Sequence, residues 1–207
     1  MKTLHANFNK QTGVSMVEVL VTMVILLVGL LGLAGLQLHA QRSEMESYQR
    51  VQALILLQDM VARINSNRLV TTYQGKTAGK DSTVCTDAIL SSTQDLCQWH
   101  NAIVGAAGST GDGIGAVIDG RGCISYDATT EAINTTPKPI ISRLNGADIT
   151  TLAGAPFPNS GTYTVSVAWQ GLGKTVERTN PCGKGLYGDD DAQRRVVSKI
   201  LRIAPLG

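Results

Sequence analysis

The sequence has little charge and few aromatic residues. Of its 207 residues only 16% are charged and 4% are aromatic, and the formal net charge is +2. So small a net charge gives no strong field for holding nucleic acid or an anionic surface. The low charged fraction excludes a long charged coiled coil, and the scarcity of aromatic residues excludes a large aromatic core. The length predicts one domain, with room for an appendage.

Residue patterns for catalysis and metal binding are also missing. The four cysteines are separated by 11, 25 and 58 residues, whereas zinc sites use close pairs. We interpret His5, His39 and His100 as solvated or structural, because no cysteine or serine is placed to form a nucleophile with them. The glycine-rich stretch 105–122 lacks the Lys-Ser/Thr pair of a phosphate-binding loop and is predicted as a surface loop. The sequence therefore predicts no enzyme activity, cofactor, metal or small-molecule substrate.

One long apolar run lies near the N-terminus. From Val19 to Leu36 the only polar side chain is Thr22, and Glu18 stands at the edge of the run. A membrane-spanning helix needs roughly 17–25 mostly apolar residues. The apolar side chains contribute roughly −4 to −8 kcal/mol to insertion, against about +3 kcal/mol or less for the carboxylate. Membrane insertion is therefore favoured.

The helical pattern continues beyond the apolar run. No proline occurs before Pro137, and Asn65, Ser66 and Asn67 supply stop signals. We predict one helix over 14–66, of which 14–38 spans the membrane and 39–66 is amphipathic and packs on the chain's own head. The alternative is a signal anchor followed by a separate short core helix. The apolar positions that recur at three- and four-residue steps are Met45, Tyr48, Val51, Ile55, Met60 or Val61, and Ile64.

All four cysteines follow the apolar run. An even number of cysteines in an exported domain predicts two disulfides, for which three pairings are possible. Our preferred pairs are Cys85–Cys97 and Cys123–Cys182. Oxidised cysteines place the head, 67–207, outside the cytosol. The N-terminus is then cytoplasmic, although the basic residues on the two sides of the run leave the orientation undecided by themselves.

Strand patterns are clearest in the second half of the head. Residues 122–126 and 195–203 are predicted as strands, and 162–169 alternates between apolar and polar residues in the manner of a half-buried strand. The stretch 71–122 shows little periodicity. Locally joined strands after one long helix predict an α+β fold, with an antiparallel sheet laid on that helix.

Two charged groups in the head are candidates for binding. The acidic triplet 189–191 lacks the alternating ligand pattern of a calcium loop, so a solvated turn is predicted. Arg194, Arg195, Lys199 and Arg202 could form a stripe for DNA. On an alternating strand Arg195 and Lys199 face away from the other two, which divides the patch and disfavours nucleic-acid binding.

The N-terminus carries a recognisable motif. The sequence Lys10-Gln-Thr-Gly13 followed by Val14-Ser-Met-Val-Glu18 resembles the class III prepilin signal of type IV pilins and type II secretion pseudopilins. In that family a prepilin peptidase cuts after the glycine on the cytoplasmic face, and the new N-terminus is methylated. The resemblance implies a leader peptide over 1–13, cleavage between Gly13 and Val14, and methylation of Val14, where the family usually has Phe or Met.

Further stretches resemble the minor pilins of the PilV kind. The resemblance implies the type IV pilin fold, a single-pass inner-membrane protein with a periplasmic head, and later display on the pilus surface. It implies a subunit that primes pilus assembly in a tip complex with other minor pilins and the major pilin, and that supports twitching motility and adhesion. The stretches concerned are 18–37, 57–68, 120–124, 164–169 and 194–197.

Glu18 is the residue with the clearest role in that resemblance. A carboxylate in hydrocarbon is costly unless it is paired. In the family this glutamate meets the terminal amine of a neighbouring subunit, and the resemblance implies that this amine belongs to Val14. The alternative is a pair between Glu18 and Val14 of the same chain. Gly29, Gly32 and Gly35 lie roughly on one face and either allow close helix approach or mark where the helix loosens.

Two other functions are compatible with the sequence. A type II secretion pseudopilin has the same anchor, and an adhesin or DNA-uptake module on a pilin anchor belongs to another functional class. Genetic neighbours distinguish a pseudopilin from a minor pilin. Salt-sensitive DNA binding by the head indicates a DNA-uptake module.

Overall fold

The computed structural model contains one uninterrupted N-terminal helix, α1, over Met16–Ser66. The carbonyl of Ser15 accepts the N–H groups of Glu18 and Val19 at 3.0 and 3.3 Å, which starts the helix. Its 51 residues confirm the prediction of a single long helix and exclude a separate short core helix. The residues that the structure describes are 13, 15–80, 91–105, 117–176 and 179–204.

The chain divides into two compact units, Met1–Glu44 and Met45–Gly207. In the first unit, every residue of 16–44 is exposed. An 18-residue window of α1 reaches a mean hydropathy of 2.8, and the helix is long and apolar enough to cross a membrane. So large a contiguous apolar surface is rare in a soluble monomer and indicates a membrane or a protein partner.

The second unit is built on an antiparallel sheet. Its other elements are β1 (Thr77–Gly79), α2 (Ser91–Val104), β2 (Arg121–Asp127), β3 (Ile140–Leu144), β4 (Ala147–Thr151), β5 (Thr162–Gln170) and β6 (Arg194–Arg202). Four of the strands form one sheet in the order β1-β2-β5-β6, and β3 and β4 form a separate two-stranded sheet. The fold is therefore α+β, with a long helix packed on an antiparallel sheet, as predicted. The central pair, β2 and β5, is joined across 34 residues rather than locally.

The second half of α1 supplies one side of the core. Ala53, Leu56, Leu57, Met60 and Ile64 are buried with the inward side chains of β5. This spacing is the three- and four-residue repeat of an amphipathic helix. The prediction that this part of the helix is amphipathic is confirmed, but four of the positions predicted to face the head are exposed. The predicted positions that are exposed instead are Met45, Tyr48, Val51 and Ile55.

Strand β5 is buried on both faces over much of its length. Tyr163, Val165, Val167 and Trp169 face the core with α1, as the alternation predicted. The other face is not left to solvent, because Ala168 packs in a second cluster with Cys182 and Tyr187, and Ser166 is 3% exposed. The prediction of a half-buried strand was therefore wrong on this side. The chain around Cys182 folds over the outer face and is held there by a disulfide to Cys123.

Removing that disulfide is expected to weaken the fold strongly. Cys123 and Cys182 are 59 residues apart, and a loop of this length loses about 4 kcal/mol of unfolded-state entropy when it is closed. Replacing both with alanine, which adds no buried hydroxyl, should lower the free energy of unfolding by about 2–5 kcal/mol. Urea unfolding of the full chain in detergent, followed by tryptophan fluorescence, measures the change. An unchanged unfolding midpoint would contradict it.

Helix α2 was missed in a stretch interpreted as non-periodic. Its residues Leu96, Trp99 and Ile103 are buried, and their three- and four-residue spacing was the available signal. The indole N–H of Trp99 donates to the carbonyl of Leu56 at 2.9 Å. A Cβ built on Gly122 would lie 2.3 Å from the Trp99 ring, so the ring packs directly against the β2 backbone.

The β3–β4 hairpin was also missed. Its turn is Asn145-Gly146, with φ of 50° and 84°, the backbone that a two-residue hairpin loop requires. The Asn145 N–H donates to the carbonyl of Leu69 at 2.7 Å, and the Asn145 side chain accepts the Thr71 N–H at 3.0 Å. The Asn-Gly pair between apolar segments was the signal for this hairpin.

Candidate functional site

The N-terminal motif lies at the start of α1. Gly13 and Ser15 are exposed, and the helix begins at Met16. The leader residues 1–12 and Val14 lie outside the described residues. Cleavage after Gly13 and methylation of Val14 therefore remain predictions.

Glu18 lies in the first turn of α1 with its side chain exposed. Within the described part of the chain, its carboxylate has no ion-pair or hydrogen-bond partner. The neighbouring polar residue, Thr22, donates its hydroxyl to the carbonyl of Val19 at 2.8 Å and is satisfied within its own helix. The arrangement leaves one exposed acidic group at the edge of an exposed apolar helix.

Three glycines interrupt the apolar side chains of that helix. A Cβ built on Gly29, Gly32 or Gly35 would meet no heavy atom within 4 Å. Nothing in the described part of the chain therefore requires glycine at these positions. Small residues on a membrane helix permit a second helix to approach closely.

The cysteines fall into two groups. Cys123 and Cys182 form the disulfide predicted for them. Cys97, in α2, is also disulfide-bonded, while Cys85 lies outside the described residues. The pairing of Cys85 stays a prediction.

His100 has a structural role. Its Nδ1 accepts the backbone N–H of Gly79 at 3.1 Å, which joins α2 to β1. Burial lowers the pKa of His100 below its ordinary value of 6.5, because the imidazolium is disfavoured there. His39 is exposed, and His5 lies outside the described residues.

The His100 contact predicts a pH dependence. Since the pKa of His100 is lower in the folded chain, unfolding binds a proton as the pH falls below about 6.5, and the stabilising contact is lost progressively towards acid. We expect the wild-type unfolding midpoint to fall between pH 7 and pH 5 and His100→Gln to fall less. His39→Gln, at an exposed position, is the matched control and should follow the wild type. An equal slope for all three proteins would contradict this assignment.

The acidic triplet and the basic strand β6 meet through one ion pair. Asp189 and Asp190 are exposed, in agreement with a solvated turn, but Asp191 is buried beside Arg194 with Nε and Oδ2 3.3 Å apart. Burial by itself raises the pKa of Asp191, but the N–H groups of Gly185 and Tyr187, together with the Arg194 charge, outweigh this effect and lower the pKa. Asp191 therefore anchors the loop that covers β5.

The four basic residues form no continuous stripe. Arg194 is fully buried, and its guanidinium donates to the carbonyls of Asn180 and Cys182. Arg195 pairs with Glu46 of α1, and Arg202 donates to the carbonyl of Thr130. The expected division of the patch is correct, and its cause is burial and pairing in addition to strand alternation. Among the described residues no group of three or more His, Cys, Asp or Glu side chains could hold a metal ion.

Comparison with known protein families identifies the N-terminal segment. Residues 8–34 match the model of the prokaryotic N-terminal methylation motif. The match supports a type IV pilin-like protein. The matched segment includes Gly13, Val14 and Glu18, and it implies processing by a prepilin peptidase. With the apolar helix it supports membrane anchoring and a pilin- or pseudopilin-like subunit, a kind of protein that is generally structural. No curated protein and no solved structure matches the chain.

Proposed function

We propose that this pilin-like chain is a minor pilin that helps to start assembly of a type IV pilus and is incorporated into it. The methylation motif over 8–34 carries this proposal. Two structural features support it: an apolar helix whose residues 16–44 are all exposed, and a separate head with its own core. The helix provides the surface for bundling with other pilins, and the head provides lateral contacts or adhesion at the tip.

Glu18 sets the register of assembly in this proposal. Cleavage after Gly13 creates a new ammonium group at Val14, four residues before the carboxylate. In hydrocarbon an isolated charge is far less stable than a paired one. The Glu18 carboxylate of one subunit and the Val14 ammonium of its neighbour therefore stabilise only the arrangement that brings them to the same depth. The same charges could pair within one chain, and the incorporation of Glu18→Ala into pili distinguishes these cases.

Mass spectrometry of the membrane-extracted chain tests the processing step. We expect a mature chain that begins at Val14 and carries one added methyl group. Gly13→Leu enlarges the residue at the cut and should leave an uncut chain that still enters the membrane. Wild-type protein with an intact Met1, or with a cut near Ala40, would contradict the proposal. Loss of pili rather than loss of protein secretion in a deletion strain distinguishes a minor pilin from a pseudopilin.

A further inference from the structure

A polar crevice lies between α1 and β6 in the second unit. Its volume is about 280 Å³. Charges of both signs lie around it: Glu46 and Arg50 come from successive turns of α1, and Arg195 comes from β6. The lining residues are Glu46, Arg50, Trp169, Arg195, Val196 and Val197.

Two buried donors of this crevice have no acceptor. Trp169 is 2% exposed and its Nε1 has no hydrogen-bond partner, and the same holds for the buried Nη1 of Arg195. A buried donor without an acceptor costs about 1–3 kcal/mol. Most buried polar groups in proteins are satisfied, so two unsatisfied donors lining one crevice indicate a missing acceptor.

The ionic groups of the crevice are only partly used. Arg195 donates through Nε to Oε1 of Glu46 at 2.8 Å and also binds it through Nη2. The second carboxylate oxygen of Glu46 and the exposed guanidinium of Arg50 have no partner among the described residues. The crevice therefore offers an exposed guanidinium for an anionic group and a free carboxylate oxygen for a cationic group, and its walls contain the two buried donors.

We propose that this crevice binds the phosphoethanolamine headgroup of a membrane phospholipid. The phosphate oxygens accept from Arg50 and from the buried N–H groups of Trp169 and Arg195, and the ammonium group donates to the free oxygen of Glu46. A phosphate alone matches the donors but not the carboxylate, and a phosphoglycerol headgroup has no cation for it. The zwitterion satisfies both sides.

The location along the chain supports a lipid rather than a soluble ligand. The chain reaches Glu46 only eight residues after Leu38, where the predicted membrane half ends. Tyr48 lies on the same part of α1 and is 58% exposed, and tyrosine is enriched at the level of lipid headgroups. The inference rests on the membrane anchoring of the proposed function but not on pilus assembly.

Native mass spectrometry of the full chain released from nanodiscs tests this site. The nanodiscs contain phosphatidylethanolamine or phosphatidylglycerol in a phosphatidylcholine background. We expect about tenfold more retained phosphatidylethanolamine than phosphatidylglycerol, and about a tenfold loss of it in Arg50→Gln. Arg42→Gln removes the same charge from the same helix outside the crevice and should retain lipid like the wild type. Glu46→Gln should abolish the preference for ethanolamine.

Four outcomes would overturn the assignment. Equal retention of the two lipids, or equal losses in Arg50→Gln and Arg42→Gln, would show general charge attraction. Displacement of the lipid by inorganic phosphate as effectively as by glycerophosphoethanolamine would show a free-phosphate site. No retained lipid in any case would leave the crevice to another ligand, such as an acidic side chain of a second subunit. Because membrane insertion and pilus incorporation are measured separately, failure here would leave the proposed function intact.

Discussion

Glu18→Ala is expected to leave the chain in the membrane and to abolish its incorporation into pili. Removal of the carboxylate makes insertion easier, because a charge at the edge of the apolar run opposes it. The neighbouring subunit's ammonium group at Val14 then lies unpaired in hydrocarbon, which costs about 3 kcal/mol and corresponds to about a hundredfold loss of assembly. Immunoblots of sheared pili and of membrane fractions measure the two quantities separately.

Glu44→Ala is the matched control for this experiment. It removes an exposed carboxylate from the same helix, beyond the membrane run, and should leave incorporation unchanged. An intramolecular Val14–Glu18 pair predicts a different result, because its loss leaves the variant's own ammonium group unpaired in the membrane and in the pilus alike, so incorporation would be unchanged. Incorporation of Glu18→Ala at the wild-type level would refute the assembly role of this carboxylate.

Trp99→Ala is expected to lower the free energy of unfolding by about 3–5 kcal/mol. The side chain is fully buried in the core and its N–H donates to the Leu56 carbonyl at 2.9 Å. Its ring packs on the backbone at Gly122, which has no side chain that could fill the space left by alanine. The cavity left by the indole ring therefore stays open, and the loss of unfolding free energy is at the upper end of the range for a large-to-small substitution.

Denaturant unfolding of the full chain in detergent measures this loss, with Trp169 as the remaining fluorophore. Trp99→Phe keeps a ring against Gly122 and removes mainly the hydrogen bond, so we expect it to lose less than half as much. A loss below about 1 kcal/mol for Trp99→Ala would contradict the central position of Trp99 in the core. Unchanged membrane insertion of both variants would show that the effect belongs to the head.

The sequence predicted most reliably where one residue pattern has one physical outcome. An unbroken apolar run without proline allows only a long helix, and strict alternation in 162–169 allows only a strand. Prediction was weaker where the surrounding structure determines which side chains are buried. The stripe through Met45, Tyr48 and Val51 has helical spacing, yet the sheet packs against Ala53 and Leu56 on another face. Spacing shows that a helix has an apolar face, but it does not say which neighbouring face meets the sheet.

The candidate site divides in the same way. Gly13 and Glu18 were found from local sequence, because a peptidase signal and a charge beside an apolar run are recognisable without a fold. The crevice was not found, because Glu46 and Arg195 are 149 residues apart and only the packing of β6 on α1 brings them together. Buried donors without acceptors are likewise visible only when the surrounding atoms are known.

The sequence by itself determined that this protein has an apolar anchor with a carboxylate at its edge and a cysteine-containing α+β head, since hydrophobic length, charge position and strand alternation are local properties. Only the tertiary structure decided that β5 is covered on both faces, that Arg194 is buried against Asp191, and that a crevice lined by charges of both signs lies beside α1. These features depend on contacts between distant segments, whose energies no single stretch of sequence contains.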